Sequence, residues 1–180
     1  MKGVDGMTTE YLLSKEVDRV LAALMPQNQL IVRLMLQTGM RVGDAVAWPT
    51  RALKPSGWYV ESKTGKKRRY GISKPLLEAI KAQAGPEYAF PGRRRGTHKS
   101  RQAVWKDIKR AAKAFRLSQN VGAHSMRKVY AVRLMRKYGD LERVKQALNH
   151  SSGTVTAIYA MADVLLERRE RERKRRRVAP

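Results

Sequence analysis

The apolar residues of the chain recur mostly at helical spacing. A first run begins after a polar leader, with Ser14 as the expected N-cap, and places apolar residues at positions 17, 20, 21 and 24 before Pro26 interrupts it. A second run occupies positions 30, 31, 34 and 35 and ends at Gly39, a residue suited to the left-handed conformation that closes a helix. The pattern predicts two amphipathic helices.

The next stretch, TGMRVGDAVAW at residues 38–48, predicts a short helix that carries Arg41 and Asp44. The two residues would share one face of that helix, so that the carboxylate could brace the guanidinium. Taken alone, the pair is better explained as a surface ion pair.

Residues 57–73 break the helical pattern. Aromatic and β-branched residues around a Thr-Gly pair predict a β-hairpin, with Lys63 where the first strand meets the turn. Such a tip could follow a phosphate backbone, or it could be a solvated edge that resists aggregation. Its basic residues are Lys63, Lys66, Lys67, Arg68 and Arg69.

Helical periodicity returns at Pro75 and again after Ser100, which is a suitable N-cap. Residues 84–100 lie between these helices and predict a loop by their Pro and Gly content. The loop residues expected at phosphates, if they are not simply solvated, are Arg93, Arg94, Arg95, His98 and Lys99. The helix after Ser100 would pack one face in the core and leave other faces to DNA, with Lys106, Lys109, Arg110 and Lys113.

Residues 121–162 hold polar residues that could form one chemical site. His124 and Arg127 lie three residues apart at the start of a helix that should end at Gly139, so both can reach one ligand. A short helix is expected from residue 144 to 148 with Asp140 as its cap, followed by a polar break at residues 149–152 and a helix that carries Tyr159. The polar break contains His150.

Lysine and arginine outnumber the acidic residues by 39 to 15, which gives a formal net charge of +24. The end of the chain is a low-complexity charged segment, yet residues 1–166 alone hold 31 basic against 12 acidic residues. The folded part is therefore itself basic, and this excess indicates a polyanionic partner such as nucleic acid. Ribosomal and chromatin-type proteins share the property, so charge alone predicts no chemistry.

Cysteine is absent and the three histidines are widely spaced, so the sequence predicts neither a disulfide framework nor a metal site. No apolar run has the length of a membrane helix, and the N-terminus lacks the pattern of a signal peptide. We expect no cofactor, no metal and no membrane partner, and a protein that stays in the cytoplasm where it is made.

In chain order, the segments TGMRVGDA, SKTGKKRRYGIS, AHSMRK, ALNHSS and TAIYA resemble the tyrosine recombinase (phage integrase) family. The family pattern is an arginine, a hairpin lysine, His-x-x-Arg, a histidine, and a nucleophilic tyrosine nine residues after that histidine. The resemblance implies the catalytic-domain fold of the family, an α+β fold that is mainly α-helical with a small antiparallel β-hairpin. It divides the chain into a leader (1–10), a catalytic domain (11–165) and a basic C-terminal tail (166–180).

The resemblance implies a site-specific DNA recombinase, of integrase or invertase type, that works through a 3′-phosphotyrosine intermediate. Tyr159 would be the nucleophile, with Tyr130 and Tyr138 as competitors, and Lys63 the general acid, with Lys66 as its nearest competitor. The other catalytic residues would bind the scissile phosphate or assist proton transfer: Arg41, His124, Arg127 and His150. Asp44 stands where many relatives have glutamate, and its shorter side chain would brace the guanidinium of Arg41.

The implied partner is double-stranded DNA, on which the protein would form a homotetramer, with an accessory bending or directionality protein as a further partner. The origin expected is bacterial, phage or another mobile element, and the protein would be associated with the nucleoid. Basic residues expected on the DNA are Lys66, Lys67, Arg68, Arg69, Arg93, Arg94, Arg95, Lys99, Lys106, Lys109 and Arg110.

About ten residues precede the pattern, so the usual N-terminal core-binding domain is not expected. Two alternatives share the fold: a DNA-binding regulator without catalysis, and a nicking-closing enzyme similar to type IB topoisomerases. A ribosomal or RNA-binding protein would explain the charge but not the ordered motif.

Overall fold

The computed structural model describes residues 12–117, 120–140 and 144. These residues form a mainly helical fold with one two-stranded antiparallel sheet. In the described residues, no helix combines the length and the apolar character needed to span a membrane. The elements in chain order are α1 (Ser14–Ala23), α2 (Pro26–Thr38), α3 (Val42–Val46), a 3-10 turn (Thr50–Ala52), β1 (Ser56–Val60), β2 (Lys67–Gly71), α4 (Lys74–Gln83), α5 (Arg101–Ala114) and α6 (Ala123–Tyr138).

The chain divides into two compact units, Met1–Tyr130 and Ala131–Pro180. The first unit holds the elements from α1 to α5 and the first half of α6, around a core that includes Val17, Val20, Ile31, Leu34, Ile80, Phe90, Ile108 and Met126. In the second unit, the described part includes the end of α6 and then Gly139, whose φ of +62° confirms the predicted end of this helix.

α1 buries the expected apolar residues Val17 and Val20. Its N-cap, however, is Leu13 and not the expected Ser14, which is the first helical residue. The carboxylate of Glu16 accepts a hydrogen bond from the Leu13 N–H at 2.7 Å. This bond satisfies the N–H of the N-cap residue itself, a backbone donor that has no partner within the helix.

α2 begins with Pro26 in its first turn and ends at Gly39. Gly39 has φ of +67°, as predicted for the residue that closes this helix. A Cβ at Gly39 would also lie 2.3 Å from ring atoms of Tyr130. Both the backbone conformation and the neighbouring ring therefore exclude a side chain at this position, and Tyr130 has a packing role.

The predicted hairpin is confirmed, with β1 and β2 paired so that Trp58 faces Arg69 and Tyr59 faces Arg68 across the strands. Gly65 in the turn has φ of +67°, in agreement with a Thr-Gly turn. The alternation of strand residues buries Arg68 and leaves Trp58 exposed on the outer face. The hairpin therefore turns one guanidinium into the interior of the unit.

Asp107 on α5 fastens this helix to the junction of α1 and α2. One carboxylate oxygen accepts hydrogen bonds from the Met25 N–H and the Asn28 side chain, both at 2.8 Å, and the other accepts one from Arg110 at 2.6 Å. Burial alone would raise the pKa of Asp107, but these hydrogen bonds lower it. The carboxylate lies where the N-terminus of α2 favours negative charge.

The remaining predicted elements are confirmed where the structure describes them. α4 contains the expected residue Pro75, and Ser100 caps α5 by accepting a hydrogen bond from the Ala103 N–H at 3.1 Å. The leader, most of the short helix expected at 144–148, the helix expected around residue 159 and the tail lie outside the described residues.

Candidate active site

Arg41 lies just after the closed end of α2. The predicted short helix exists as α3, but it begins at Val42, and Arg41 is its N-cap with an extended backbone. Arg41 therefore lies outside the helix that contains Asp44, and the two residues do not share a helical face as expected. The carboxylate that pairs with Arg41 is that of Glu61, at 2.5 Å from Nη1 to Oε2.

Glu61 is the centre of the site, and its side chain is completely buried. Its Oε1 accepts hydrogen bonds from Arg68 at 2.7 Å and from both terminal nitrogens of Arg127 at 3.3 Å. Its Oε2 contacts Arg41 and accepts a hydrogen bond from the Thr64 hydroxyl at 2.8 Å. One carboxylate thus holds three guanidiniums that come from distant parts of the sequence.

The ionisation of Glu61 follows from these partners. Burial alone would raise its pKa, but interactions with Arg41, Arg68 and Thr64, and then the charge of Arg127, lower the pKa to about 2. The carboxylate is therefore ionised at neutral pH, as a buried counter-ion for arginine must be.

Arg127 reaches the site from the first half of α6. Its Nη1 donates to the Gly39 carbonyl at 2.7 Å, so the end of α2 holds the guanidinium from a second side. Burial, followed by the charges of Arg68 and Arg41, lowers the pKa of Arg127. An arginine starts from a pKa above about 12, so the group remains charged at neutral pH.

Lys63 is exposed in the hairpin turn, between two residues whose side chains are anchored. Before it, Ser62 donates to Asp44 Oδ1 from its N–H at 3.0 Å and from its hydroxyl at 2.6 Å. After it, Thr64 donates to Glu61. The supporting role expected for Asp44 thus acts on the turn that carries Lys63, and not on the guanidinium of Arg41.

A cleft of about 700 Å³ brings Arg41, Lys63, His124 and Arg127 together within the first unit. The turn places Lys63 in the lining of this cleft, and Lys66 does not line it. One wall comes from α5, with three residues for which the sequence predicted no role: Arg101, Gln102 and Trp105. Trp105 is 51% exposed, which is unusual for so large an apolar ring.

His124 stands at the first turn of α6 and lines the cleft. Partial burial, and then the positive charges of Arg127, Arg41, Lys128 and Lys63, lower the pKa of His124. The ring is therefore neutral at pH 7, with one nitrogen able to donate and the other able to accept a proton.

Arg68 corrects one of the expected DNA contacts. Its guanidinium is only 3% exposed, because strand alternation turns it towards Glu61. It also lies over the ring of Tyr59, at 5.7 Å from the centroid. Burial raises the pKa of Tyr59 to about 12, so this phenol stays protonated at neutral pH.

The other basic residues expected on DNA differ in their surroundings. Lys106 is exposed, as are the hairpin residues Lys66, Lys67 and Arg69 and the loop residues Arg93, Arg94 and Arg95. The loop arginines line a different concavity of about 260 Å³, and Lys99 is half-buried. Arg110 is held by Asp107 and the Ala23 carbonyl, and Lys109 donates to Asn120 at 2.5 Å.

His150 and Tyr159 lie outside the described residues. Their predicted roles therefore remain predictions. Within the described residues, no group of three His, Cys, Asp or Glu side chains could hold a metal ion.

Comparison with known proteins gives a family match over most of the chain. The model of the phage integrase family matches residues 10–164. Tyrosine recombinase XerD of Rhizobium meliloti is 30% identical over 153 residues, a match that covers 79% of this chain and 49% of XerD. The chain thus spans about half the length of the XerD relatives that it matches.

Solved structures agree with this match at the level of the fold. The catalytic domain of bacteriophage HP1 integrase superposes with a TM-score of 0.64 and 22% identity, covering 89% of this chain and 92% of that domain. A lambda integrase dimer bound to a COC′ core site gives a TM-score of 0.71 and 24% identity, covering 90% of this chain and 50% of that one. The fold is therefore that of a recombinase catalytic domain, as the sequence resemblance implied.

The ionisation of Glu61 generates a prediction for stability. A carboxylate whose pKa is lower in the folded protein stabilises the fold above its unfolded pKa and loses that contribution as pH falls through the folded value. For Glu61 the loss runs from about pH 4.5 down to about 2 and amounts to about 3 kcal/mol in the free energy of unfolding. Urea denaturation at a series of pH values measures it.

Glu61→Gln is the comparison for this measurement. The variant is expected to be less stable at pH 6, because two buried guanidiniums and the half-buried one of Arg41 lose their counter-ion. Its stability should also depend less on pH below 4.5. Asp107 adds an acid-dependent loss of its own to both proteins. Equal acid dependence in the two proteins would contradict the assignment.

Proposed function

The chain belongs to the phage integrase family, and we propose that it acts as a site-specific recombinase that cleaves and rejoins DNA strands through a 3′-phosphotyrosine intermediate. The observation that carries the proposal is the cleft in which Arg41, Lys63, His124 and Arg127 meet. These residues come from three segments, in the order of the family pattern. A fold likeness alone would not require two arginines, a lysine and a histidine to converge.

The cleft supplies what a phosphoryl transfer needs most, which is fixed positive charge at the phosphate oxygens. Three guanidiniums and one carboxylate give the buried cluster a formal charge of +2. A bound phosphodiester would neutralise part of this positive charge. Arg41 and Arg127 would contact it, because both line the cleft. Two guanidiniums offer planar, permanently charged donors for the two non-bridging oxygens.

The reaction proposed is a transesterification. The oxygen of Tyr159 attacks the scissile phosphorus as its proton passes to the neutral ring of His124 or to solvent, and the bond from phosphorus to the 5′-oxygen breaks. Lys63 gives a proton to the departing 5′-oxygen. The neutral ring of His124 donates to the phosphate or relays protons, and His150 is assigned the same role by the family pattern. Attack of a 5′-hydroxyl on the phosphotyrosyl ester reverses these steps and rejoins a strand, with no net change in phosphoester bonds.

DNA is proposed to lie along the cleft and the basic surfaces beside it. Lys66, Lys67, Arg69 and Lys106 are exposed and available to neighbouring phosphates. Arg101, Gln102 and Trp105 on α5 face the same cleft, where donors and an aromatic ring can meet bases or deoxyribose.

We further propose that the functional form is a homotetramer assembled on DNA, in the cytoplasm of a bacterial or phage-infected cell. The solved lambda integrase relative is described as a dimer bound to a core site. An accessory DNA-bending or directionality protein and a DNA-integration reaction are part of the same proposal.

The nucleophile assignment is tested with Tyr159→Phe. DNA linked covalently to the protein in cells identifies the target, and a nicked suicide duplex that contains this target should trap the wild type as an adduct. The variant lacks only the attacking oxygen, so it should bind the duplex and form no adduct on a denaturing gel. An adduct of unchanged yield in Tyr159→Phe would refute the assignment.

The same gel separates the alternatives. A wild type that binds its site with no adduct would indicate a DNA-binding regulator. Adduct formation with relaxation of supercoiled DNA, but no exchange between two sites, would indicate a nicking-closing enzyme.

Lys63 and Lys66 form a matched pair for the general acid. Because Lys63 lines the cleft and Lys66 does not, Lys63→Ala should slow cleavage at saturating DNA by about 100-fold or more, in the range usual for general acid catalysis. Lys66→Ala should weaken DNA binding slightly and leave that rate near the wild-type value. The reverse pattern in single-turnover cleavage would reassign the acid.

Trp105 is expected to contact the DNA inside the cleft. Trp105→Ala should weaken DNA binding about tenfold or more, the loss typical of a stacked base, and Trp105→Phe should retain much of the affinity. Trp58 is the matched control, since it is 68% exposed on the outer hairpin face and does not line the cleft. DNA affinity is measured by fluorescence anisotropy. An equal loss of affinity in Trp58→Ala would indicate that the aromatic contact with DNA does not lie in the cleft.

A further inference from the structure

We propose that Glu61 and Arg68 are a positioning pair, which orients Arg41 and Arg127 for the scissile phosphate and fixes the turn that carries Lys63. The proposal rests on the function proposed above, since it names the residues that hold the phosphate-binding groups in place. Neither member of the pair lines the cleft. They would act through other residues and would not touch the DNA.

The two oxygens of the Glu61 carboxylate have different partners. Oε1 holds Arg68 and Arg127, and Oε2 holds Arg41 and the hydroxyl of Thr64. Both phosphate-binding guanidiniums therefore share one rigid reference point. A displacement of the carboxylate would move both of them together, and misplacement by about 1 Å can slow a reaction by about 100-fold.

Arg68 determines where that reference point lies. Its contact with Oε1, at 2.7 Å, is shorter than the contacts of Arg127 with the same oxygen, at 3.3 Å. The side chain of Arg68 is 3% exposed, and its register opposite Tyr59 in the hairpin leaves it few alternative positions. On Oε1, Arg68 is therefore the closer of the two arginine partners, and it holds this oxygen from within the hairpin.

The backbone around Glu61 extends the same constraint to Lys63. The N–H of Glu61 donates to the Lys66 carbonyl at 3.0 Å, and its carbonyl accepts from the Gly65 N–H at 2.9 Å. Together with the bond from Thr64, these contacts close the turn around Lys63. Glu61 therefore contacts both arginines and also closes the turn that carries the proposed general acid, Lys63.

Stability alone does not require this pair. A buried ion pair can often be replaced by groups of similar shape with little loss of stability, whereas removal of one partner leaves an uncompensated charge and costs about 3–5 kcal/mol. The double variant Glu61→Gln/Arg68→Met removes one negative and one positive charge. The double variant keeps the formal charge of the cluster at +2 but removes the carboxylate that holds Arg41 and Arg127. It therefore separates the effect of positioning from the effect of charge.

The test compares the wild type, this double variant and Glu78→Gln, an exposed change on α4 that controls for the loss of a glutamate. Noncovalent DNA affinity and the single-turnover cleavage rate at saturating DNA are measured for each. We expect the double variant to bind DNA within about twofold of the wild type and to cleave it about 100-fold more slowly. A wild-type cleavage rate, or a loss of binding that accounts for the slower cleavage, would overturn the proposal.

Glu61→Asp is the second variant, for use if the double variant does not fold. It keeps the charge and withdraws the carboxylate by one methylene, so cleavage should slow while affinity is retained. Wild-type cleavage by a folded Glu61→Asp protein would equally overturn the proposal.

A phosphate readout separates this proposal from the proposed function. Inorganic phosphate should raise the melting temperature of the wild type and of Glu78→Gln above that in sodium chloride of equal ionic strength, and raise that of the double variant less. An equal rise in all three proteins would overturn the positioning role, whether or not DNA is cleaved. No adduct from the wild type, with the expected difference in phosphate, would refute the recombinase function alone.

Discussion

The ion cluster around Glu61 is the interaction on which the site depends. A fully buried carboxylate is tolerated here because three guanidiniums and a hydroxyl supply its lost hydration. The guanidiniums are in turn tolerated because the carbonyl of Gly39 accepts from Arg127. Each charged group in the cluster is therefore stabilised by the groups of opposite charge or polarity around it.

This constraint links elements that the chain separates widely. Arg41 follows α2, Glu61 and Arg68 belong to the hairpin, and Arg127 belongs to α6, so the cluster ties the end of one helix to a strand pair and to the start of another helix. Gly39 contributes through its conformation, since the left-handed residue that ends α2 presents its carbonyl to the cluster. The position of the hairpin and the geometry of the site therefore depend on the same contacts.

The sequence predicted those parts of the fold that depend on local chemistry. Helical spacing located α1, α2 and α4, a Thr-Gly pair located the hairpin turn, and Gly39 and Ser100 were assigned correctly as helix ends. The family pattern selected residues of which Arg41, Lys63, His124 and Arg127 meet in one cleft. Each helix or turn signal, and each separate segment of the family pattern, lies within a few residues of sequence.

The errors in the site came from not following strand alternation and from contacts between residues of different elements. Arg68 was counted as a DNA contact because it lies in a basic run, although alternation along β2, counted from the aromatic Tyr70, places it on the buried face. The same count along β1 would have placed Glu61 with Tyr59, and a buried glutamate requires a cationic partner. The identity of its partners could not be read from spacing, since Arg127 lies 66 residues away.

The composition of the cluster bears on how the proposed site could remain folded and still bind a phosphate. With three carboxylates, every guanidinium would be neutralised and a phosphate would have to compete with fixed anions. With none, mutual repulsion of three neighbouring cations, two of them buried, would oppose folding. One carboxylate among three arginines lies between these limits, because it satisfies part of the charge during folding and leaves the remainder for an anion that enters the cleft. The excess charge is therefore best understood as part of the proposed binding site, and the single glutamate as the group that stabilises three neighbouring guanidiniums beside it.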